Sequence, residues 1–421
     1  MVRRVCGMGL AWLAIVAAGS AAAADAHSPR PRMNVSVQLG EPVEPAKALR
    51  NLVTVVAPNA RCAALSETYS VLAFGPDTRG AAQVALVPLD EQGKVRAGEA
   101  ARATLPLPLA LQNFQQYVLA LAFHPSKPLL YVWRDARGPQ KDHPPVDVVY
   151  NELDHLLIYS VEGGKLSLLR TGAHGRDYAF GVSMGALTVD AANGRLYVPS
   201  AQVKNPDPKE RDGFFASAGY VQLDDGGLPV ADGDGLRLVV RRPLQQRYDG
   251  YYHLNVREYQ NFPLGTSGPL PINDNTVVYT DKHDLITVTM DGSRVQPGAL
   301  KSFWLPLLEY GQAVWCRCSL HPELPVIYIS GGGRLFRIEH VDGFPTLMPQ
   351  VLAFNENPNS APVVMGKATV AVGAANCVLL FPIDAAGLLT GVVQKVAVSN
   401  CQGQALAYSG KFDRLYVAVD Q

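Results

Sequence analysis

The sequence contains few charged residues, and their signs balance. Asp, Glu, Lys and Arg make up 18% of the 421 residues, and 37 acidic side chains offset 37 basic ones, so the formal net charge is zero. Proteins that bind nucleic acid through its phosphates carry clustered Lys and Arg, and this chain has no basic stripe. The composition therefore argues against nucleic acid as a partner.

Cysteine is also scarce, with six in the whole chain. Removal of an N-terminal segment that contains Cys6 would leave an odd and sparse set, which differs from the disulfide framework of a small secreted domain. A bridge between Cys62 and Cys401 is a candidate, because each precedes an inner strand in repeats that are expected to lie side by side.

Cys316 and Cys318 are separated by one residue and lie on one face of an expected strand, where a mutual bridge would be strained. No His or Cys follows them at ligand spacing, so the pair does not predict a metal site. Buried thiols are the simpler interpretation, because unbridged Cys is among the most buried residue types. We expect no metal and no cofactor.

Long apolar runs are absent after residue 26. Within the first 26 residues, Arg3 and Arg4 precede an apolar run at 8–18, and small residues at 22–24 or 24–26 form a cleavage signal. The run is shorter than the ~20 residues that cross a bilayer, which predicts a signal peptide rather than an anchor. We expect export to the periplasm or the extracellular space, and a single domain at residues 27–421.

Glycine (38) and proline (31) are plentiful, and one phrase recurs. An apolar run, a polar turn and a second apolar run ending in Tyr and Val or Ile occupy residues 121–132, 187–198, 319–329 and 406–417. Strand-like runs around them come in groups of four, and the third run of each group closes on Asp or Glu and Gly. Alternating apolar residues closed by such turns predict hairpins. Four strands per unit, at a period of roughly 40 to 60 residues, predict propeller blades.

Six complete units begin near residues 62, 117, 182, 266, 312 and 361. A seventh begins at Cys401 and supplies only two strands. Residues 34–39 and 51–56 resemble the missing third and fourth strands. The sequence therefore predicts an all-β, seven-bladed propeller of four-stranded antiparallel blades, closed by N- and C-terminal strands that share the last blade and leave no open edge.

The blade phrase carries a family resemblance. His124-Pro125, Leu129-Leu-Tyr-Val132, Arg195-Leu-Tyr-Val198 and Arg414-Leu-Tyr-Val417 resemble the lactonase-like, YVTN-type seven-bladed propellers. The resemblance covers most of the mature chain and implies the fold. The superfamily includes sugar-lactone hydrolases, a muconate-cyclising branch and exported proteins without known activity. The Trp-Asp dipeptides of WD40 blades and the Gly/Trp docking repeats of quinoprotein dehydrogenases are absent.

The longest connections are expected on one face of the propeller. They lie near residues 134–154, 171–180, 199–218, 241–265 and 301–312, and loops on a rigid scaffold are where binding residues concentrate. Their side chains suit acid–base chemistry, or sugar and carboxylate binding. The candidates are His143, His174, Arg176, Asp177, Arg211, Tyr248, Tyr251 and His253. The alternative is that these loops are polar covers held by internal hydrogen bonds.

Arg317 is a further candidate, on an inner strand. It lies between Cys316 and Cys318, where another blade carries Ala120. Since inner strands line the channel of a propeller, a side chain at this position would face the channel and attract an anion. Pairing with a carboxylate of a neighbouring blade is the structural alternative.

Two other sequence motifs are explained better by structure than by function. Residues 181–185 match the Gly-x-Ser-x-Gly nucleophile elbow, but Ser183 would need a strand–turn–helix context, and the following residues continue as an inner strand. His124 and His321 each precede Pro at the same blade position, which is typical of turn residues.

These observations predict an exported, monomeric β-propeller that binds a small molecule, or a protein or glycan, on the long-loop face around the channel. The alternative is a lactonase-like hydrolase, in which His or a carboxylate activates water and Arg holds the oxyanion. Convergence of the loop side chains in one pocket would favour the enzyme. A flat aromatic face would favour recognition of a partner.

Overall fold

Short strands dominate the part of the chain that the computed structural model describes. That part comprises residues 35–36, 51–79, 82–109, 112, 115–137, 153–174, 187–198, 201–203, 214–230, 236–243, 269–281, 284–291, 294–304, 316–346, 349–390 and 393–420. All of it belongs to one compact unit, Val35–Gln421, and the other unit, Met1–Asn34, lies outside it. In these ranges no helix is long and apolar enough to cross a bilayer.

Thirty strands and two 3-10 turns, Ala97–Glu99 and Glu162–Gly164, occur in these ranges. The strands are β1 (Val35–Ser36), β2 (Leu52–Val56), β3 (Ala60–Ser66), β4 (Val71–Arg79), β5 (Gln83–Pro88), β6 (Ala101–Thr104), β7 (Gln115–Phe123), β8 (Leu129–Arg137), β9 (Asp154–Ser160), β10 (Ser167–His174), β11 (Thr188–Asp190), β12 (Arg195–Val198), β13 (Ala201–Val203), β14 (Phe214–Gln222), β15 (Leu236–Pro243), β16 (Leu270–Asn273), β17 (Thr276–Asp281), β18 (Asp284–Asp291), β19 (Arg294–Trp304), β20 (Arg317–Leu320), β21 (Val326–Gly331), β22 (Arg334–Val341), β23 (Phe344–Pro345), β24 (Gln350–Ala353), β25 (Val363–Met365), β26 (Thr369–Ala374), β27 (Cys377–Pro382), β28 (Gln394–Ala397), β29 (Leu406–Ser409) and β30 (Arg414–Val419).

These strands form a β-propeller, which confirms the predicted fold class. Four strands in sequence order make up the sheets β16–β19 and β25–β28, and β20, β21, β22 and β24 form a third set, with β1 and β23 at its margins. The strands β11, β12, β14 and β15 form another, extended by β13. The first strands of the predicted units, β3, β7 and β20 among them, line one central cavity.

The prediction of seven blades is wrong, because the described strands fall into six sheets. Two predicted units, β3–β6 and β7–β10, share one eight-stranded sheet. The strand β4 continues to Arg79, and its last residues pair with β7 from Asp77–Tyr117 to Arg79–Gln115. The sequence pattern indicates which segments form strands but not how far a pair of strands extends.

The N- and C-terminal strands share a sheet, as predicted, but in a different arrangement. The strand β2 pairs with β30 from Leu52–Leu415 to Val56–Val419, and the pairing is parallel. It is therefore the third strand of a three-stranded sheet rather than the fourth strand of an antiparallel blade. Residues 35–36, expected in the same blade, pair instead with β24. Only residues 57–59 join β2 to β3, and so short a link requires β2 to end beside the start of β3.

The hydrophobic core lies between neighbouring sheets. Trp133 and Ile158 of the eight-stranded sheet pack with Leu196 and Val221 of the next sheet, and all four are buried. Since burial of one large apolar side chain contributes about 1.5–3 kcal/mol, these contacts provide the main stabilisation of each sheet against its neighbour.

The Tyr of the recurring phrase also joins neighbouring sheets. This Tyr is buried in the second strand of its blade, where its ring packs in the core. In three places its hydroxyl donates a hydrogen bond to a Gly carbonyl in a hairpin of another sheet: Tyr131 to Gly227 at 2.6 Å, Tyr328 to Gly387 at 2.6 Å, and Tyr416 to Gly93 at 2.8 Å. Two recurring features of the sequence therefore meet in one contact. The Tyr of the Tyr-Val phrase supplies the donor, and the Gly of the hairpin turn supplies the acceptor.

The Gly turns have the backbone that this contact requires. In each, an Asp three residues earlier accepts a backbone N–H from the residue after the Gly, as Asp384 does from Leu388 at 2.8 Å. Gly387 has φ of 73°, in the left-handed region that disfavours a Cβ. A Cβ there would lie 2.9 Å from the Tyr328 hydroxyl. The position therefore excludes larger residues both by backbone conformation and by space.

His124 and His321 are turn residues, as predicted. The Nδ1 atom of His124 accepts backbone N–H groups of Ser126 at 3.2 Å and Lys127 at 3.1 Å. His321 accepts from Glu323 and Leu324, each at 3.0 Å. Each imidazole therefore closes the turn between the first and second strands of its blade.

The expected bridge between Cys62 and Cys401 does not form. The thiol of Cys62 donates to the carbonyl of Val118 at 3.5 Å, whereas the Sγ atom of Cys401 accepts the backbone N–H of Gly403 at 3.1 Å. Both are unbridged cysteines. Cys316 and Cys318 are buried, as predicted.

Polar contacts reinforce the closure of the ring. The Oε1 atom of Glu67, in the turn after β3, accepts the hydroxyl of Ser409 at 2.8 Å and the backbone N–H of Lys411 at 3.0 Å. Burial alone raises the pKa of the Glu67 carboxyl, but these donors and the backbone of Gly410 outweigh it, so the pKa lies below its usual value. The ionised form of Glu67 therefore holds the first blade to the last strands.

We predict that Tyr328→Phe lowers the free energy of unfolding by about 1–2 kcal/mol, because it leaves the Gly387 carbonyl without its donor. Urea unfolding followed by circular dichroism measures the change. Tyr69→Phe is the matched control, since the Tyr69 hydroxyl makes a longer, exposed contact with Ser126 at 3.3 Å. Equal losses in the two variants would contradict an inter-sheet role for the Tyr–Gly contact.

We also predict that Glu67→Gln destabilises the protein at neutral pH by about 0.5–1 kcal/mol, a small value because solvent screens this exposed group. The folded-state pKa is lowered, so the contribution is complete above the usual value of 4.5 and is lost as the pH falls through the folded-state pKa. The difference in the free energy of unfolding between wild type and variant should therefore be larger at pH 7 than at pH 3. Glu91→Gln, in an exposed turn, should match wild type at both.

Candidate functional site

The first strands enclose a cavity of about 140 Å³ on the channel. Its walls come from β3, β7, β20 and β29 and from the segment that enters β25. The lining residues are Arg61, Cys62, Ala63, Leu119, Ala120, Leu121, Arg317, Cys318, Ser360, Ala361, Val363, Gln404 and Leu406. Because these strands belong to four different sheets, with β3 and β7 in the same one, the cavity exists only in the assembled ring.

A β-bulge places Arg61 in the wall of this cavity. The register between β3 and β4 shifts between Ala60 and Cys62, so Arg61 is the extra residue on β3. A bulge interrupts the alternation of side chains along a strand and changes the direction of one of them. Arg61 and Cys62 consequently line the same cavity although they are adjacent in sequence. A second bulge, between Val118 and Ala120 on β7, has the same consequence for Leu119.

Arg61 is supported by an aromatic ring. Its guanidinium carbon lies 4.9 Å from the ring centroid of Tyr117, the third residue of β7. This is a cation–π contact, which restricts the guanidinium without neutralising its charge. The contact therefore helps to hold Arg61 at the wall of the cavity.

Arg317 also lines the cavity, and its predicted role in ligand binding stays a prediction. Burial lowers the pKa of its guanidinium to about 10, with a further decrease from the charge of Arg61 and a small opposing effect of Cys62. The guanidinium of Arg317 therefore remains protonated at neutral pH.

The remaining lining residues are mostly aliphatic. Among the described residues that line the cavity, no Asp or Glu is present. The Ser360 hydroxyl accepts the backbone N–H of Gly373 at 2.8 Å and donates to the Ala361 carbonyl at 2.9 Å. Burial raises the pKa of the Cys62 thiol to about 12, despite the nearby arginines. Both groups are therefore neutral and poorly suited to act as nucleophiles.

The size of the cavity limits what it can hold. A cavity of comparable volume in another protein accommodates benzene, so about 140 Å³ suits a molecule of about six to eight non-hydrogen atoms. Larger ligands would have to extend beyond the described walls. The arrangement is thus a small, positively charged and partly aliphatic compartment that can bind an anionic group.

Most of the sequence-predicted loop residues lie outside the described residues: His143, Arg176, Asp177, Arg211, Tyr248, Tyr251 and His253. His174 is the last residue of β10, and its side chain is also outside them. Ser183 is outside them too. Within the described ranges, no group of three or more His, Cys, Asp or Glu side chains comes together to hold a metal ion.

The described strands shorten several of the expected loops. The strand β13 occupies residues 201–203 within the segment predicted as a loop, and it pairs with β14, which begins at Phe214. The strands β8 and β15 likewise extend to Arg137 and Pro243. These strands therefore extend into segments that were predicted as loops. They do so because backbone groups form hydrogen bonds where two segments lie side by side.

Sequence reasoning missed Arg61. The first predicted unit begins near residue 62, whereas β3 begins at Ala60 and includes the bulge. A usable signal was present, since the dipeptide Arg-Cys occurs at Arg61-Cys62 and again at Arg317-Cys318. Both copies lie on first strands and line the cavity.

No family model and no curated protein matches the chain. Among solved structures, a candidate 6-phosphogluconolactonase of Bacteroides fragilis is similar at 13% identity and a TM-score of 0.49, over 84% of this chain and 89% of that one. A candidate 6-phosphogluconolactonase of Bacteroides uniformis has 11% identity and a TM-score of 0.45, over 79% and 83%. Raptor of Chaetomium thermophilum has 12% identity and a TM-score of 0.48, and the similarity covers 84% of this chain but only 26% of Raptor. The β-propeller fold of this chain is established by its own sheets.

Proposed function

We propose that the protein binds a small anionic molecule in the central channel, with Arg61 and Arg317 as the main ligand-binding residues. The observation that carries this proposal is the presence of two guanidinium groups on one cavity whose described walls include no carboxylate. Guanidinium groups bind carboxylate and phosphate oxygens through charge-assisted hydrogen bonds. Because both arginines line the same cavity, one anion bound there can contact both.

The energetics favour binding in this compartment over binding at the surface. A charge-assisted hydrogen bond contributes about 1.5–3 kcal/mol, and the interaction strengthens where water is excluded. Binding of an anion would also raise the lowered pKa of Arg317, because it compensates for burial and for the charge of Arg61. The two arginines are thus arranged to gain more from an anion than exposed arginines would.

The same walls favour binding over hydrolysis. Lactone hydrolysis needs a group that activates water, usually His or a carboxylate. The described lining supplies neither, the Ser360 hydroxyl is engaged by the backbone, and the Cys62 thiol is protonated. A lactonase-like activity would require catalytic groups from the loop residues, such as His143 or His253, and the proposal does not include it.

We predict that Arg317→Gln weakens the binding of small anions by about 10- to 100-fold, the equivalent of one charge-assisted hydrogen bond. Titration calorimetry with acetate, malonate and phosphate at low ionic strength measures it. Arg102→Gln is the matched control, because Arg102 lies on β6 with an exposed side chain and should leave the affinity unchanged. Acetamide and propylamine should not compete.

Failure of the wild-type protein to bind any of the anions would contradict the proposal. An equal loss of affinity in Arg102→Gln would also contradict it, since binding would then depend on net charge rather than on the channel. The enzymatic alternative is tested separately by incubating a panel of lactones with the same preparations. Hydrolysis would open the lactone ring, and the loss of lactone can be measured.

We further propose that the protein is exported, with residues 1–26 removed as a signal peptide. The support is the sequence pattern of two arginines, an apolar run and small residues. Expression of the full chain in a bacterial host, followed by cell fractionation and mass spectrometry, is predicted to show a protein outside the cytoplasm that begins near residue 25 or 27. An intact N-terminus in the cytoplasmic fraction would contradict it.

A further inference from the structure

We propose that the ligand of the channel is a short aliphatic monocarboxylate, with a chain of about four to six carbons whose tail packs against the apolar walls of the cavity. This inference rests on the proposed function, because it specifies the part of the anion that the arginines do not bind. It depends on which side chains form the walls, on how the fold brings them together and on the volume that they enclose.

Aliphatic side chains form most of the described wall of the cavity. Leu119, Leu121, Val363 and Leu406 contribute branched side chains, and the other aliphatic lining residues are alanines. Such side chains offer no hydrogen bond to a polar ligand atom, which would lose its contact with water without compensation. They do stabilise apolar groups, because both surfaces are removed from water. The walls therefore favour a ligand that is mostly hydrocarbon beyond its charged group.

The fold brings these aliphatic residues into one stretch of the wall. Leu119 and Leu121 lie on β7, Leu406 lies on β29, and Val363 is the first residue of β25. The strand β3 contacts both β7 and β29, and β29 in turn contacts β25. The four inner strands therefore follow one another around the channel. A tail that extends along the cavity can contact apolar side chains from more than one of them.

The volume of the cavity limits the length of the tail. About 140 Å³ suits about six to eight non-hydrogen atoms. A carboxylate group uses three of them, which leaves about three to five carbons for the tail. Butyrate, valerate and hexanoate have this size. Shorter acids would leave part of the apolar wall uncovered, and longer acids would have to extend beyond the described walls.

The walls also disfavour other small anions. A second carboxylate, as in malonate, or the oxygens of inorganic phosphate would have to lie against aliphatic side chains and would lose their hydration there. In this arrangement the arginines select for negative charge, and the apolar walls select for a hydrocarbon tail of limited length. The two requirements together define the class of ligand.

The first test is a chain-length series on the purified protein, from acetate through propionate, butyrate, valerate and hexanoate to octanoate. Titration calorimetry at low ionic strength measures each affinity. We expect the affinity to rise about three- to fourfold per added methylene group as far as butyrate, the increment for burial of one methylene. We expect no further gain between hexanoate and octanoate. Butanol, which has the tail without the charge, should bind at least tenfold more weakly than butyrate.

A second test places the tail in the cavity. Ala361 lines the cavity in the segment that enters β25, and its side chain is half-buried. Ala361→Leu should reduce the affinity for hexanoate at least tenfold more than the affinity for acetate, because the added carbons occupy the space of the tail. Ala97→Leu, the same substitution at an exposed position in a 3-10 turn, should preserve the wild-type series. Val363→Ile, with one added carbon, replaces Ala361→Leu if that variant does not fold.

Each contrary outcome has a distinct meaning. Equal affinities from acetate to hexanoate, or tighter binding of malonate or phosphate than of every monocarboxylate, would overturn this inference and leave the anion-binding proposal standing. A rise in affinity that continues to octanoate and is the same in Ala361→Leu would overturn the placement of the tail in the cavity. No binding of any acid or of phosphate would overturn the proposed function itself.

Discussion

The pairing of β2 with β30 is the contact on which the rest of the structure depends. It joins residues near the two ends of the described chain into one sheet, and the Ala57 backbone N–H continues it by donating to Val419 at 3.0 Å. Only residues 57–59 separate β2 from β3, so the same contact that closes the ring positions Arg61. A propeller that failed to close would lose one wall of the channel and one of its two cations.

Within the closed ring, neighbouring sheets are held by hydrophobic packing and by repeated polar contacts. Packing is non-directional and tolerates small displacements, whereas the hydrogen bond from a Tyr hydroxyl to a Gly carbonyl fixes one position along the interface. Tyr131, Tyr328 and Tyr416 supply this contact at three interfaces. The channel walls are built from the first strands of sheets aligned in this way, which explains how residues distant in sequence maintain a small and defined cavity.

The channel concentrates positive charge in a chain whose net charge is zero. Balanced composition ensures that the molecule as a whole attracts neither sign of ligand strongly, so selectivity has to come from local placement. Arg61 is oriented by a bulge and stacked on Tyr117, and Arg317 is placed by the alternation of β20. Local electrostatics inside a partly dehydrated space act more strongly than the same charges would at the surface, and this property makes the channel the site at which we propose that an anion is bound.

Local patterns in the sequence determined the strands, the turns and the fold class. The recurring phrase predicted β8 and β21. The His-Pro turns at His124 and His321 were predicted from local chemistry, and the position of Arg317 at the channel was predicted from its place on an inner strand. These features depend on neighbouring residues, whose effects the sequence displays directly. The tertiary structure alone decided the extension of β4 onto β7, the parallel entry of β2 and the bulge that turns Arg61 into the channel. Each of these features depends on backbone hydrogen bonds between segments that are far apart in the chain. Because nearly every residue has the same main-chain N–H and C=O groups, the local sequence does not indicate which segments will pair.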